Sequence, residues 1–193
     1  MTLPTWAHAL TRDPNPKRLR WFISAVLIAS LLAFVVRGAD NPADPRLAAA
    51  GAPNRQLLPG FEETLITVHS PQGSVLSWCL LLAVTMQQHE RGLMQVTDPT
   101  LGGYGGMLFR FERTVTGPFW MRNTPMPLSI AYIDTAGQIV SATDMAPCAD
   151  DPGCPLYPAS GPYATAIEVP QGNLARLGIV SGAIVTDERQ GCS

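Results

Sequence analysis

The longest apolar stretch of the chain lies near its N-terminus. Residues 21–36 form an uninterrupted run in which Ser24 and Ser30 are the only polar residues, and Arg20 and Arg37 flank it. At about 1.5 Å per residue, a helix of this length spans roughly 24 Å, slightly less than a bilayer core of about 30 Å. Flanking arginine side chains can reach the interface and cover the difference. The run therefore predicts a single N-terminal transmembrane helix.

Basic residues around this run predict its orientation. They are denser before it than after it: Arg12, Lys17, Arg18 and Arg20 precede it, and Arg37, Arg46 and Arg55 follow. Because positive charge is retained in the cytoplasm, residues 1–20 are expected there and the rest of the chain outside. A cleaved signal peptide, with a secreted product, is the alternative. The long leader and the poor cleavage site at residues 36–38 favour the anchor.

The segment after the run has no hydrophobic period. Residues 37–60 contain four prolines among alanine, aspartate and asparagine. Chains of this composition are semi-extended and semi-rigid. We therefore expect a linker that separates the membrane from an extracytoplasmic β-rich domain at residues 61–193.

From residue 61 onward the apolar positions follow the two-residue period of β-strands. The stretch 80–84 is apolar at every position, as expected for a central strand that is buried on both faces. Gly137 provides the positive φ that a hairpin turn needs between two of the predicted strands. Strands are predicted at residues 64–68, 75–84, 107–111, 130–134, 138–143, 163–169 and 183–187.

Two short helices interrupt this pattern. Thr85 and Gln88 form a capping box that predicts a helix to about residue 94, and residues 170–177 predict a second helix that ends at a glycine. Four glycines between residues 102 and 106 indicate close backbone approach rather than a phosphate loop. The whole pattern predicts a mostly β fold (α+β minor), a compact antiparallel open-barrel-like domain with one or two short helices.

Composition adds two constraints. Eighteen prolines and seventeen glycines disfavour a helical bundle, and a net charge of −2 gives no electrostatic basis for binding nucleic acid. Cys148 and Cys154 can close a small loop of turn-forming residues, so we expect a disulfide between them in an oxidising compartment. Cys79 and Cys192 can bond to each other, or Cys79 can remain a buried free thiol.

Three short motifs carry a resemblance to a known family. They are ERGLM at residues 90–94, GMLF at 106–109 and FWMRNT at 119–124. Over residues 64–187 the chain resembles the bacterial and archaeal family catalogued as domain of unknown function 192. The resemblance implies a β-rich, barrel-like fold behind a signal peptide or membrane anchor, and it implies no established reaction.

The chain departs from that family at two places. The family usually continues its Gly-Leu-Met motif with Phe-Arg, where this chain has Gln95 and Val96. It also usually has an acid after a Pro-Leu pair, where this chain has Ser129. If that acid serves chemistry in relatives, the chemistry is in doubt here.

The FWMRNT motif supplies the main binding candidates. Trp120 can form an apolar wall, and Arg122, Asn123 and Thr124 can form a polar rim beside it. Small-ligand pockets combine an apolar wall with a few placed polar groups. Alternatively, Asn123 and Thr124 satisfy backbone groups at a strand crossing.

Methionines in and beside the motifs suggest a soft-metal site. Met94, Met107, Met121 and Met126 carry thioether sulfurs, which suit Cu(I) in an oxidising compartment. Methionine is also common core filler that packs on aromatic rings. No Met-x-x-Met repeat is present, so no cofactor is predicted, and Met107 and Met121 are kept as binding candidates.

Glu168 and Asp144 are the acids considered for chemistry. Glu168 alternates with apolar neighbours, so its side chain is expected on the opposite face of its strand, where Arg91 or Arg122 can pair with it. An ion pair of this kind needs no catalytic role, and Glu168 and Arg91 are kept as binding candidates. No serine lies in a nucleophile-elbow motif, so an enzyme that uses Glu168 or Asp144 ranks last among the hypotheses.

These features give an ordered set of functional expectations. The first is a membrane-anchored, extracytoplasmic, non-enzymatic domain that binds an envelope protein or a membrane complex. The second is a small-ligand or Cu(I)-binding module centred on Trp120, and the third is an enzyme. A ligand module is expected to show a concave pocket at Trp120, and an enzyme to place Glu168 or Asp144 in that pocket with a shifted pKa.

Overall fold

A seven-stranded mixed β-sheet forms the body of the protein. The computed structural model describes residues 54–192. In chain order the elements are β1 (Glu62–His69), β2 (Val75–Ala83), α1 (Met86–Arg91), β3 (Met107–Val115), β4 (Phe119–Trp120), β5 (Leu128–Ile133), β6 (Ile139–Met145), β7 (Leu156–Tyr157), β8 (Tyr163–Pro170) and β9 (Ile184–Asp187). The mostly β class predicted from the sequence is confirmed.

The strand order departs from a purely antiparallel arrangement. The large sheet runs β6-β5-β8-β3-β2-β1-β9, and β4 pairs separately with β7. Neighbouring strands are antiparallel except β2 and β3, which run parallel. A parallel pair requires a crossover connection, and residues 84–106, which include α1, provide it. The antiparallel prediction is therefore wrong at this pair.

The sheet curls until its two edges meet at one place. Val185 in β9 donates a backbone hydrogen bond to the carbonyl of Gly137 at 2.9 Å, and Gln138 and Ile184 form an isolated bridge. This single bridge does not continue into a ladder. Across residues 54–192 the strands therefore do not close into a barrel, although the curl gives the sheet an inner and an outer face.

Each face buries its own hydrophobic cluster. The inner cluster takes side chains from both edges and from the middle of the sheet, including Val68, Leu80, Leu108, Ile133 and Val185. The outer cluster combines strand residues with residues from the loops that cover them, including Leu93, Phe109, Met121, Ile130, Tyr132 and Tyr163. Because side chains alternate along a strand, each position of β3, β5 and β8 is assigned to one face.

Local sequence signals account for α1 and for one hairpin. The Thr85 hydroxyl accepts a hydrogen bond from the Gln88 amide at 3.2 Å, and the Gln88 side chain accepts one from the Thr85 amide at 2.9 Å. This is the predicted capping box. Gly137 has φ 80 in the turn between β5 and β6, as the hairpin requires.

The second predicted helix is wrong in extent. Within residues 170–177 only Ala175–Leu177 is helical, as a single 3-10 turn. Pro170 instead ends β8, where it pairs with Leu128 of β5, and Gly172 has φ 83, a value that no helix contains. Pairing with the neighbouring strand therefore outweighs the local helix signal.

Two disulfides bond all four cysteines. Cys148 and Cys154 are joined, as predicted, with their Cα atoms 6.0 Å apart. Cys79 in β2 is joined to Cys192, with Cα atoms 5.8 Å apart and a sequence separation of 113 residues. The second bond fastens the C-terminal segment to the central strands. Closing so long a loop removes much entropy from the unfolded chain.

The predicted transmembrane helix at residues 21–36 lies outside the described residues, as do the cytoplasmic segment and most of the linker. Between residues 54 and 192, no helix is long and apolar enough to cross a membrane. The membrane anchor and the extracytoplasmic location therefore stay predictions.

Candidate functional site

A solvent-open hollow lies beside Trp120 on the outer face, and we call it the Trp120 shelf. Its volume is about 540 Å³. The residues that line it are Gln87, Glu90, Arg91, Met94, Trp120, Arg122, Asn123 and Asp150. Four residues predicted from the sequence as binding candidates therefore meet here, at the concave surface expected of a ligand module.

The short strand β4 directs its two aromatic side chains to opposite sides. It pairs with β7, with Trp120 opposite Leu156 and Phe119 opposite Tyr157. Phe119 packs inward, edge to face on Phe109 with ring centroids 4.9 Å apart. Trp120 lies on the other side of the strand and is 41% exposed. The pairing with β7 thus presents the indole to the shelf.

The turn after β4 forms the rim of the shelf. Asn123 has φ 56. Its backbone N–H donates to the Ala149 carbonyl at 3.1 Å, and its backbone carbonyl accepts from the Gln95 N–H at 2.8 Å. Asparagine tolerates this left-handed conformation better than most residues. Thr124 is buried, and its hydroxyl donates to the Arg122 carbonyl at 3.3 Å. Thr124 therefore stabilises the turn, while Asn123 lines the shelf.

Both arginines of the shelf have partners other than Glu168. Arg91 Nη1 donates to the Pro59 carbonyl at 2.6 Å. Arg122 Nε pairs with Asp150 Oδ1 at 2.6 Å. The expected ion pair between Glu168 and one of these arginines is therefore wrong, because both cations stay at the surface with nearer acceptors.

A much smaller cavity adjoins the shelf, and we call it the Glu168 cavity. The two hollows share Glu90, Arg91, Met94 and Trp120 as lining residues. The Glu168 cavity has a volume of about 30 Å³, enough for one group of the size of water or ammonium. Its other side chains come from the outer core and from α1: His89, Leu93, Phe109, Phe119, Thr124 and Glu168.

Glu168 is a buried acid without a protein partner. It is 4% exposed, and its carboxyl has no hydrogen bond or ion pair among residues 54–192. Its side chain lies on the outer face, opposite to Ile167 and Val169, as predicted from the alternation. Burial disfavours the charged carboxylate and raises the pKa of Glu168 to about 8.

Two glycines of the family motifs make room around this acid. Gly92 is buried with φ 46, and a Cβ there would lie 3.2 Å from the Phe109 ring and 4.0 Å from Glu168 Oε2. A Cβ on Gly106 would collide with the Glu168 carbonyl. Glycine is thus required at both places, and Gly92 in particular keeps a side chain away from the cavity.

Two buried tyrosines of the outer cluster direct their hydroxyls to backbone carbonyls rather than to Glu168. The Tyr132 hydroxyl donates to the Tyr157 carbonyl, and the Tyr163 hydroxyl donates to the Gly117 carbonyl at 2.6 Å. Burial raises the pKa of Tyr163 to about 12. Burial is also the main cause that raises the pKa of Tyr132, with smaller contributions from the charges of Tyr163 and Glu168.

The methionine candidates are core residues. Met107 and Met121 are fully buried in the outer cluster, together with Met126 and Met145. Met94 lines the shelf. These positions favour packing as the role of Met107 and Met121.

One group of potential metal ligands occurs among the histidine, cysteine and acidic residues that the structure describes. It consists of Glu63, Cys79 and Cys192. The two sulfurs are bonded to each other, so they are not thiolates and cannot act as metal ligands. The group serves the C-terminal segment instead, because Glu63 Oε1 accepts a hydrogen bond from the Cys192 amide at 3.0 Å.

Asp144 lies on the opposite face of the sheet from Glu168. It pairs with Ser129, whose hydroxyl donates to Asp144 Oδ1 at 2.5 Å, and Gln171 donates to Oδ2 at 3.1 Å. Both hydrogen bonds lower the pKa of Asp144, and the one from Ser129 contributes most. Ser129 pairs with Val169, the neighbour of Glu168, so alternation separates the two acids. They cannot act as paired carboxylates.

A second charged cluster lies on the inner face. Arg110 holds Asp187 through two contacts, Nε to Oδ2 at 2.6 Å and Nη2 to Oδ1 at 2.8 Å, and the Thr64 hydroxyl donates to Oδ1 at 2.8 Å. Burial tends to raise the pKa of Asp187, but hydrogen bonds from Arg110 and Thr64 outweigh it and leave the pKa lowered. Sequence reasoning missed this pair, although Arg110 continues the alternation of Leu108 towards the inner face.

The fold and the site define a class of protein: a disulfide-bonded, curled β-sheet domain with an aromatic cavity that ends at a buried acid. A family model for DUF192, described as Uncharacterized ACR, matches residues 67–186, and the chain belongs to this family. The family resemblance read from the motifs is thereby confirmed.

Solved structures that share the fold include two proteins. A protein of unknown function from Novosphingobium aromaticivorans DSM 12444 is 31% identical, with a TM-score of 0.59, over 72% of this chain and 95% of that one. A protein from Sinorhizobium meliloti 1021, described as a "putative transcription regulator", is 26% identical, with a TM-score of 0.56, over 66% of this chain and 95% of that one. Comparison with curated proteins found no match.

Proposed function

We propose that the protein is a membrane-anchored, extracytoplasmic, non-enzymatic binding module. In this proposal the Trp120 shelf holds the body of a small ligand, or a segment of a larger one, and the Glu168 cavity receives one small group of it. The second of the sequence-based hypotheses thus moves ahead of the first, because the concave surface and the acid adjoin each other.

The observation that carries the proposal is the unpartnered carboxyl of Glu168. Burying a charged carboxylate without a partner costs several kcal/mol of stability. The cost is avoided when the carboxyl is protonated or when a ligand supplies a partner. Glu168 lies in the outer core, where an apolar side chain would avoid this cost altogether. Its carboxyl borders a cavity that adjoins the exposed indole of Trp120, and this position is suited to a ligand.

Glu168 has a raised pKa in a cavity that adjoins the Trp120 shelf, which is close to the expectation set for an enzyme, but the groups around it favour binding. A nucleophilic mechanism needs a base within hydrogen-bond reach of the nucleophile. His89, which lines the same cavity, has its Nε2 atom 3.1 Å from the Ala83 carbonyl. Asp144, the other acid considered, lies on the inner face with Ser129.

The location in our proposal rests on three supports. The apolar run at residues 21–36 has the length and the flanking charges of an anchor with its N-terminus in the cytoplasm. The linker at residues 37–60 can separate the domain from the membrane. The two disulfides are typical of an oxidising compartment, such as the periplasm or the cell exterior.

A second candidate function is docking to an envelope protein or a membrane complex. Trp120 and Leu156 lie opposite each other in the β4–β7 pair and are 41% and 61% exposed. Adjacent exposed apolar side chains of this size are typical of protein contact surfaces, where tryptophan often contributes most of the affinity.

The description of the Sinorhizobium meliloti protein does not lead us to propose DNA binding here. Nucleic-acid-binding domains present clustered basic side chains, and this chain has a net charge of −2. Arg91, Arg110 and Arg122 each contact a carbonyl or carboxylate oxygen of the protein itself.

Purification of the full-length protein from its native membranes in a mild detergent, followed by native mass spectrometry, tests the proposal. The wild type is expected to carry a small molecule that Trp120→Ala loses. Leu156→Ala is the matched control, because Leu156 faces Trp120 across the strand pair but does not line either hollow. The intact mass also reports whether residues 1–38 are retained.

Two outcomes would contradict the proposal. If folded Trp120→Ala and Asn123→Ala proteins keep every bound ligand, the site is assigned to the wrong place. If the wild type instead carries a stoichiometric protein that both Trp120→Ala and Leu156→Ala lose, the docking function replaces ligand binding.

A further inference from the structure

We propose that the group received by the Glu168 cavity is a primary ammonium, supplied either by a free amine or by a lysine side chain or N-terminus of a protein. This inference rests on the proposed function, since it names the chemistry that the same site recognises. It adds a ligand class that follows from the size, the charge and the lining of the cavity.

The size of the cavity selects a small head group. A volume of about 30 Å³ accommodates one group of the size of ammonium or water. Phosphate and trimethylated ammonium have several heavy atoms and fit this space less well, and a carboxylate would meet the like charge of Glu168. The substituent that bears the group must therefore lie outside, on the Trp120 shelf of about 540 Å³.

The charge of the cavity selects a cation. Its lining contains two acids, Glu168 and Glu90, and one arginine, Arg91, whose guanidinium donates to the Pro59 carbonyl rather than to Glu168. A buried carboxylate is stabilised by an opposite charge that also donates hydrogen bonds. An ammonium supplies both, with three N–H donors on one small atom.

The lining favours the same chemistry. Phe109, Phe119 and Trp120 contribute aromatic rings to the cavity. Aromatic rings attract desolvated cations, and an ammonium gains more from them than a neutral hydroxyl does. On the shelf, Trp120 and Met94 offer apolar surface for an alkyl chain such as that of lysine.

Binding of an ammonium must release a proton. Burial raises the pKa of Glu168 to about 8, so near neutral pH the free protein carries the acid mostly protonated. The balanced equilibrium is Glu168–COOH plus R–NH₃⁺ giving Glu168–COO⁻ paired with R–NH₃⁺ plus one H⁺ in solution. The other titratable or charged groups facing Glu168 are His89, Glu90 and Arg91 from the α1 side and Tyr132 from β5.

Calorimetric titration of the full-length protein in detergent tests this equilibrium. The probes are n-butylamine, its neutral isostere n-butanol, and tetramethylammonium. At pH 6.5, in two buffers of different ionisation enthalpy, n-butylamine is expected to bind with release of about one proton. Its affinity is expected to rise about tenfold per pH unit between pH 5.5 and 7.5. The other two probes are expected to bind at least tenfold more weakly.

Glu168→Gln tests whether the released proton comes from Glu168 or from another titratable group, because it keeps the size of the side chain and removes the charge. The variant is expected to lose proton release and at least tenfold in affinity for n-butylamine. Proton release that persists in folded Glu168→Gln would assign it to His89 and overturn the inference. If the variant does not fold, the proton count and pH dependence of the wild type still decide the question.

Two further results distinguish this inference from the proposed function. Binding of n-butanol as tightly as n-butylamine, without proton release, would overturn the ammonium inference and leave ligand binding at the site intact. Binding of neither probe, with no small molecule in the native preparation, would overturn both. A lysine tetrapeptide with a blocked N-terminus identifies the source: affinity more than tenfold above that of n-butylamine indicates a protein lysine, and equal affinity indicates a free amine.

Discussion

Glu168 and Asp187 are acids that the curled sheet places beside hollows on its two faces. Asp187, on the inner face, receives two hydrogen bonds from Arg110 and one from Thr64, and its pKa is lowered. Glu168, on the outer face, receives none from the described residues, and burial raises its pKa to about 8. The fold supplies hydrogen-bond donors to Asp187, whereas the carboxyl of Glu168 needs a bound proton or a ligand to offset its burial.

The size of a hollow does not identify which acid is the candidate for ligand binding. Asp187 borders the larger one, of about 620 Å³, and Glu168 the smaller one, of about 30 Å³. A satisfied ion pair such as that of Arg110 and Asp187 stabilises strand positions and needs no ligand. The absence of a protein partner, together with burial, is therefore the more informative feature.

Breaking the inner pair is expected to have the largest effect. Asp187→Ala leaves Arg110, whose side chain is 20% exposed, without its anion, and we expect the free energy of unfolding to fall by about 3 kcal/mol. Denaturant unfolding at pH 7 measures it. Asp150→Ala is the control. Asp150 lies 2.6 Å from Arg122, the same distance as in the inner pair, but it is exposed, so a loss of about 0.5 kcal/mol in the free energy of unfolding is expected. Equal losses in both variants would contradict the comparison.

Replacing Glu168 by glutamine is expected to raise the free energy of unfolding near neutral pH relative to the wild type, opposite in sign to the effect of Asp187→Ala. The carboxyl of Glu168 binds its proton more tightly in the folded chain, so its contribution to stability is present below pH 4.5 and is lost as the pH rises towards 8. The slope inside this window is up to about 1.4 kcal/mol per pH unit. Between pH 5.5 and 7 the wild type is therefore expected to lose about 2 kcal/mol relative to Glu168→Gln.

Unfolding curves of both proteins across this pH range provide the measurement. Glu112→Gln, at an exposed position of β3, is the control and is expected to keep the wild-type slope. A wild-type profile that does not fall over this range would show that Glu168 is ionised without penalty, and the contrast with Asp187 would disappear.

Much of the fold is predictable from local patterns. Alternation placed Glu168 opposite to Ile167 and Val169, the capping box set the start of α1, and Gly137 marked a hairpin, because each signal depends on neighbours in sequence. The parallel pairing of β2 with β3 depends on how a long crossover packs, and no local period encodes it.

The site was predictable only in part, for a related reason. The motif around Trp120 could be recognised from its composition, but β4 and β7 have two residues each, too few to show a period. Alternation gave the face of Glu168 and not the groups on that face. The partners of Arg122 and Arg110 lie 28 and 77 residues away, so the cations could not be assigned from sequence.

A smaller effect is expected from narrowing the Glu168 cavity. Gly92→Ala places a Cβ near Phe109 and Glu168 and forces φ 46 on alanine, for which we expect a loss of about 1.5 kcal/mol and of n-butylamine binding. Gly172→Ala is the matched control, because it has φ 83 but no atom within 4 Å of the added carbon. It is expected to lose similar stability and to keep binding. Loss of binding in both would indicate general strain rather than occupation of the cavity.

The smallest effect is expected at Ser129, where the family resemblance implied an acid. The Ser129 hydroxyl donates to Asp144 and accepts from the Gly172 amide at 2.9 Å, so Ser129→Ala is expected to cost about 1 kcal/mol. Ligand binding should be unchanged, because this side chain lies on the inner face while Glu168 lies on the outer one.

Asp144 already supplies a carboxylate at this strand pair, from β6 rather than β5. Ser129→Asp alone should therefore destabilise the protein through repulsion between the two carboxylates. Ser129→Asp with Asp144→Ser should recover stability, as measured by thermal unfolding. A double variant less stable than Ser129→Asp would show that the two positions are not interchangeable.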